Sequence, residues 1–291
     1  MGLGPLVPTF EIGRKRVFSV QEIAHFRAFG FVILRRLLSP HEVAQLTEEV
    51  RSSLTAAFGG LGTDRDPDGT GGIRGDYLPL TVDEAPLSQR LIADDPRLYQ
   101  GSVALAGDMT VPTPPIATCL TSNAGWHSDD GTGVGGVKLL AYLEPRGPGN
   151  GGLRVIPGSH APGFSERVAR YWAEDPGRQG FEPWPMPHVA LDTEPADVIA
   201  FDRHLFHSSA GGSDRLAWSI EYLPWPGLGD RDRLRLLREM VLEAADYSHQ
   251  GYDRLRWPVW DHWVRAARDM PSRQTALQRL ELAGVFDPEA G

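Results

Sequence analysis

From about residue 102 to 223 the chain breaks into short apolar runs divided by Gly and Pro, too brief for ordinary helices and too regular for an unstructured linker. Residues 116–122, 136–143, 153–156, 188–191, 198–201 and 216–223 each read as strands. Many short strands with turn signals between them predict an antiparallel sandwich or barrel. One helix is expected to interrupt them near 165–173.

The ends of the chain read differently. Ser19 followed by Glu22 forms a capping box that opens a short helix ending at Gly30. Residues 31–37 then read as a strand. Ser39-Pro40-His41-Glu42 starts a second helix, with Val43, Leu46, Val50 and Leu54 as its buried stripe and Gly59-Gly60 as its stop. Residues 59–75, rich in Gly and Asp, predict a mobile surface loop. Beyond Pro226 helical spacing returns over 231–246, and Trp257, Trp260 and Trp263 fall in a later apolar segment. The expected organisation is a single domain over 1–291, mainly β with helical additions. It has a helix–strand–helix opening at 19–60, a core at 100–223 and a helical extension at 227–291.

Composition removes several function classes. A formal net charge of −9 with no basic block argues against nucleic acid or an anionic membrane as partner. The one cysteine, Cys119, rules out a disulfide framework or a multi-cysteine zinc site. There is neither a long apolar run nor a signal-peptide pattern, and Leu6 stands where myristoylation needs Ser or Thr. A cytoplasmic protein acting on a small molecule is the expectation; the oligomeric state is not legible.

The chemistry-bearing residues cluster in the strand region. In Trp126-His127-Ser128-Asp129-Asp130, His127 and Asp129 sit two apart, so extended backbone projects both from one face. His207, emerging from the buried segment 197–206, is the best third ligand. Two histidines and one carboxylate form a facial set suited to iron(II), with positions left open for substrate and O₂. Eight residues past His207, Arg215 opens an alternating strand. Its planar fork matches a carboxylate, whereas an exposed Arg would serve only a surface ion pair. Lys138, one of just two lysines among 29 basic residues, sits in the otherwise apolar 137–143. It must point to solvent or meet an anion. In the second case it shares or replaces Arg215 at a cosubstrate carboxylate.

Together these segments resemble the phytanoyl-CoA dioxygenase family of iron(II)/2-oxoglutarate oxygenases, with the likeness running from about residue 19 to 223. HFRAFGFVILRRLLSPHEVAQL looks like that family's opening, and WHSDD matches its H-x-D block. GNGGLRVIPGSH matches its central signature, and ADVIAFDRHLFHSS with Arg215 matches its distal histidine and arginine. The resemblance implies a double-stranded β-helix, the jelly-roll or cupin-like core. It implies iron ligation by His127, Asp129 and His207, a 2-oxoglutarate anchor at Arg215 and a cosubstrate contact at Ser209. His160, inside the signature, is read as structural. Three departures stand out: Ala196 replaces a usual Gly, the His207–Arg215 interval is short, and no Lys or Gln precedes His127. Thr118, Thr121 and Asn123 are the available substitutes for that polar contact.

The implied reaction consumes 2-oxoglutarate and O₂, releases succinate and CO₂, and oxidises a C–H bond of a small molecule, with a natural-product intermediate as the expected substrate. The Asp129 carboxylate speaks against halogenation, since related halogenases carry a small residue there. Trp126, Tyr77 and Ser219 are candidate pocket residues. Two other readings stay open at this point: a non-catalytic metal-binding jelly roll, and a zinc or manganese cupin-like isomerase or hydrolase using His204.

Overall fold

The computed structural model describes residues 17–62, 75–80, 85–121, 123–129, 133–167, 170, 186–225, 230–245, 274, 278 and 281. Helix α1 (Val20–Phe29) opens on the expected capping box. The Ser19 side chain accepts the Glu22 N–H, the Glu22 carboxylate accepts the Ser19 N–H, and Gly30 closes the helix at φ 80°. Helix α2 (Pro40–Phe58) repeats the device with Ser39, Glu42 and Gly59, and buries Leu46, Val50 and Leu54 completely. Strand β1 (Phe31–Leu34) is shorter than the sequence predicted. The Asp197 carboxylate takes the Arg36 N–H at 2.8 Å and Arg35 Nη1 at 2.7 Å, and Arg36 turns the chain at φ 52°.

Helices α3 (Pro86–Asp94) and α4 (Pro96–Ala106) occupy a stretch where no element was predicted. Helix α3 has no side-chain cap of its own at Ala85. Glu49 reaches across from α2 instead, accepting the N–H groups of Leu87 at 2.6 Å and Ser88 at 3.0 Å. Helix α5 (Arg231–Ala245) matches the predicted C-terminal helix. The Gly/Asp-rich loop at 63–74 and the three late tryptophans lie outside the described residues, as does most of the helix expected near 165–173, where the described residues 164–167 and 170 are helical. Among the described residues no helix is long and apolar enough to cross a membrane.

The remaining strands are β2 (Gly75–Pro79), β3 (Thr110–Pro112), β4 (Ile116–Leu120), β5 (Ala124–His127), β6 (Val137–Tyr142), β7 (Leu153–Val155), β8 (Val189–Ala190), β9 (Val198–Asp202), β10 (His207–Ser209) and β11 (Arg215–Pro224). The larger sheet runs β1-β9-β6-β11-β4-β2 with β3 also on β11, and the smaller runs β5-β10-β7-β8. Every pairing among these strands is antiparallel. Two such sheets face to face make the jelly roll.

Alternation along β11 divides the interior in two. Leu216, Trp218, Ile220 and Tyr222 point outward into the main core with Leu46, Val50 and Leu54 of α2. Ala217 points inward, where Tyr142, Ile199 and Phe201 meet Leu153 and Val155 of the smaller sheet. Each fully buried large apolar side chain contributes about 1.5–3 kcal/mol relative to exposure. The outer layer of helices thus fixes the large sheet, and the inner face is left to carry polar groups.

Candidate active site

Strands β5 and β10 place the two histidines. His127 and His207 are direct partners across this antiparallel pair, with ring centroids 4.3 Å apart. Each ring is oriented by its own backbone. His127 Nδ1 donates to the Gly125 carbonyl at 2.7 Å, and His207 Nδ1 to the Leu205 carbonyl at 2.8 Å. Carbonyls only accept, so the proton resides on Nδ1 and each Nε2 keeps its lone pair free for a metal. Asp129 Oδ1 lies 3.6 Å from both Nε2 atoms. One ligand atom from each of His127, Asp129 and His207 lies within 4.8 Å of the others, the only such group among the described residues. Two imidazole nitrogens and one carboxylate oxygen at this spacing fit a single divalent ion.

The electrostatics of His207 and Asp129 favour ligation. Burial pushes the His207 imidazole down to about 4, so it is neutral near pH 7. Burial also opposes protonation of His127, but the Asp129 carboxylate and the Gly125 carbonyl outweigh it and raise its pKa. Asp129 itself is held well below the carboxylate range: burial works against ionisation, and Lys138 and the two imidazoles overcome it.

Lys138 meets its anion inside the protein. Its Nζ lies 3.0 Å from Asp129 Oδ2 and 3.3 Å from Glu221 Oε1. Arg215 occupies the other end of the same inner face. It is fully buried, and its Nη1 donates to the Gly212 carbonyl at 2.9 Å. A Cβ on Gly151, which sits at φ 88°, would meet Arg215 Cδ at 2.5 Å. The glycine in the central signature thus makes room for the arginine stem. His160 of that signature packs on Gly30 and places Nε2 3.2 Å from the Arg27 carbonyl, the structural part expected of it.

Strand register sorts the other candidates. Tyr77, Thr118, Ala217 and Tyr142 stand in one row across β2, β4, β11 and β6. Ser219 follows in the next row, opposite Leu140 and Ile116. Ser209, two residues past His207, is buried on the same side of β10 as that histidine. Thr121 and Asn123 are not brought to this face. Thr121 has the opposite parity to Thr118 and lies against Gly62 beside Cys119, while exposed Asn123 accepts the Gly211 N–H at 2.9 Å. Trp126 alternates with His127 and packs on the outer side with Ile156 and Phe206. His204 pairs with Asp202 at 3.1 Å and is no member of the metal group.

Three inner or adjoining residues were missed by sequence reasoning: Tyr142, Glu221 and Arg203. Burial pushes the Tyr142 phenol up to about 12, with Arg215 and Arg146 pulling the other way. Both Tyr142 and Glu221 were legible in principle. Lys138, Leu140 and Tyr142 alternate on β6, as Arg215, Ala217, Ser219 and Glu221 do on β11.

An antiparallel jelly roll with a two-histidine, one-carboxylate group at the mouth of its smaller sheet defines the class: a non-haem iron, 2-oxoglutarate-dependent enzyme. The chain belongs to the phytanoyl-CoA dioxygenase (PhyH) family, whose model matches residues 26–215. Among curated proteins none matches significantly. Similar solved structures include EctD from S. alaskensis with 2-oxoglutarate and 5-hydroxyectoine, at 26% identity and TM-score 0.52, covering 76% of this chain and 81% of that one. AviO1 from Streptomyces viridochromogenes shares 24% identity at TM-score 0.54, over 73% of this chain and 98% of its own. The epimerase SnoN, in complex with Fe3+, alpha ketoglutarate and nogalamycin RO, shares 20% at TM-score 0.54, over 81% and 93%.

Proposed function

We propose that this protein hydroxylates a C–H bond of a small molecule, with iron(II) held by His127 Nε2, Asp129 Oδ1 and His207 Nε2. The observation that carries the reading is the convergence of these three atoms while both Nδ1–H groups are tied to backbone carbonyls. Bound there, iron(II) supplies the oxygen-activating chemistry that couples breakdown of 2-oxoglutarate to succinate and CO₂ with oxidation of the substrate.

The residues of the chain bind and orient. Arg215, rigid against Gly151 and Gly212, is assigned the distal carboxylate of 2-oxoglutarate, for which its charged fork is the matching partner. Thr118 and Tyr142, in one row of the large sheet, and Ser209, two residues past His207, are assigned to contacts along the cosubstrate. Tyr77 and Ser219, on the inner rows, are the residues assigned to the substrate side. His127, with a side chain 39% exposed against 6% for His207, marks the open side through which substrate approaches. The presence of 5-hydroxyectoine, a small hydroxylated compound, beside 2-oxoglutarate in the similar EctD structure, at 26% identity, supports the choice of hydroxylation and a small-molecule substrate, here assigned to the class of natural-product intermediates.

The test is succinate formation from 2-oxoglutarate by the iron(II)-reconstituted protein, with ascorbate and O₂, across a panel of small-molecule substrates. Asp129→Ala removes the carboxylate ligand and is expected to abolish turnover; retained turnover refutes the ligand assignment.

A further inference from the structure

Four charged side chains form a ring beside the triad. Lys138 Nζ bridges Asp129 Oδ2 at 3.0 Å and Glu221 Oε1 at 3.3 Å, and Glu221 Oε2 lies 2.9 Å from Arg203 Nε. Arg203 then closes the ring on the main chain where it began. Its Nη2 donates to the Asp129 carbonyl at 3.0 Å, and its own carbonyl accepts the Asp129 N–H at 2.9 Å. Two further bonds hold the segment that follows. Arg203 Nη1 donates to the Gly135 carbonyl at 3.1 Å and its N–H to the Gly136 carbonyl at 3.1 Å.

Asp129 needs such a device. It lies past the end of β5, so no strand ladder fixes it as β5 and β10 fix the histidines. Arg203 lies in the turn between β9 and β10, the turn that delivers His207. We propose that Arg203, acting through Glu221 and Lys138, is the positioning residue that sets Asp129 as a ligand of one oxygen. Lys138 occupies Oδ2, and Oδ1 is left facing both imidazoles. The charges suit the task. Two cations and two anions cancel around the ring, so Lys138 can hold the carboxylate without a net positive field beside a divalent ion. An ion network drawn partly out of water contributes little to stability for its desolvation cost, which favours a role at the metal. The proposal rests on the reading that the triad binds such an ion.

Cobalt(II) titration of the metal-free protein tests both layers, because its visible absorption reports affinity and ligand geometry without turnover. Glu221→Gln keeps the shape and removes the charge that balances Lys138. Arg203→Lys keeps the charge and loses the fork. Each is expected to weaken cobalt(II) binding by about ten-fold or more, the usual scale for a lost partner of a metal ligand, and to alter the visible bands. Wild-type affinity and bands in both variants would overturn the proposal. Unfolding of both, seen by circular dichroism, would assign the ring to the fold and overturn it equally; if one unfolds, the other decides. Failure of the triad reading looks different: the wild type shows no saturable binding, or Asp129→Ala binds as well as wild type.

Discussion

His127 and His207 face each other across β5 and β10, and each imidazole is oriented by the main-chain carbonyl two residues earlier in the chain. The orientation of both nitrogen ligands is therefore a property of backbone and register. Side-chain changes around the site leave it in place. The third ligand is different, since Asp129 depends on side chains brought from β6, β9–β10 and β11. The site thus divides into a backbone-set half and a side-chain-set half.

Arg215 and Lys138 are separable by mutation. Lys138 already satisfies two carboxylates, whereas Arg215 sits buried at the far end of the inner face, with burial lowering its pKa below the usual arginine value. Arg215→Lys keeps a cation but loses the fork. Loss of charge-assisted bonds worth about 1.5–3 kcal/mol raises the apparent 2-oxoglutarate KM roughly ten- to a hundred-fold. Cobalt(II) affinity stays at the wild-type value. An unchanged KM would move the anchor elsewhere on the inner face.

The local parts of this architecture are legible in the sequence. The capping boxes at Ser19 and Ser39 are local, so sequence alone places α1 and α2. The H-x-D pair does meet at one point, although β5 ends at His127 and Asp129 is held by Lys138 and by main-chain and side-chain bonds to Arg203. What failed was non-local. Helix α3 has Ala85 at its N-cap, and its cap comes from Glu49 on another helix, a partner 38 residues away from Leu87 in sequence. Asn123 and Thr121 have the polarity for a cosubstrate contact, but both lie in the connection between β4 and β5, where Thr121 packs on Gly62 and Asn123 accepts the Gly211 N–H. The role of Arg203 was hidden because a turn arginine shows no periodicity, and its four partners, Asp129, Gly135, Gly136 and Glu221, come from three separate segments.

The Glu49 cap predicts a stability effect far from the metal. Its carboxylate holds the Leu87 and Ser88 N–H groups and the Ser88 hydroxyl, which in turn accepts Trp218 Nε1–H at 3.0 Å. Glu49→Ala strands these buried donors and is expected to cost about 2 kcal/mol. At this chain length that lowers the melting temperature by roughly 4–8 °C. Trp218 fluorescence reports the same break locally. A melting temperature unchanged within error would show the cap to be idle.

Cys119 is the one cysteine of the chain and lies buried in the outer core. Burial, with smaller pushes from Asp214 and Asp76, raises its thiol to about 11. Since the thiolate is the nucleophile, alkylation of the native protein near pH 8 is expected to run ~100-fold slower than in urea. Mass spectrometry after timed iodoacetamide treatment measures both rates. Equal rates would mean that β4 opens readily.

Asp197 couples folding to acid. Burial opposes its ionisation, but the N–H groups of Glu194 and Arg36 and the Arg35 guanidinium outweigh that and lower its pKa below 3.8. A depressed folded-state pKa means that the stabilisation is fully present above the unfolded value and is lost as pH falls through the folded one. Asp197→Asn removes the charge at every pH and loosens the turn that ends β1. The urea-unfolding free energies of wild type and variant are thus expected to differ by about 1–3 kcal/mol at neutral pH. The gap should shrink as pH drops below about 4. Because both proteins carry every other carboxylate, their difference isolates this one group, and a gap that stays constant into acid would remove Asp197 from the account of the turn.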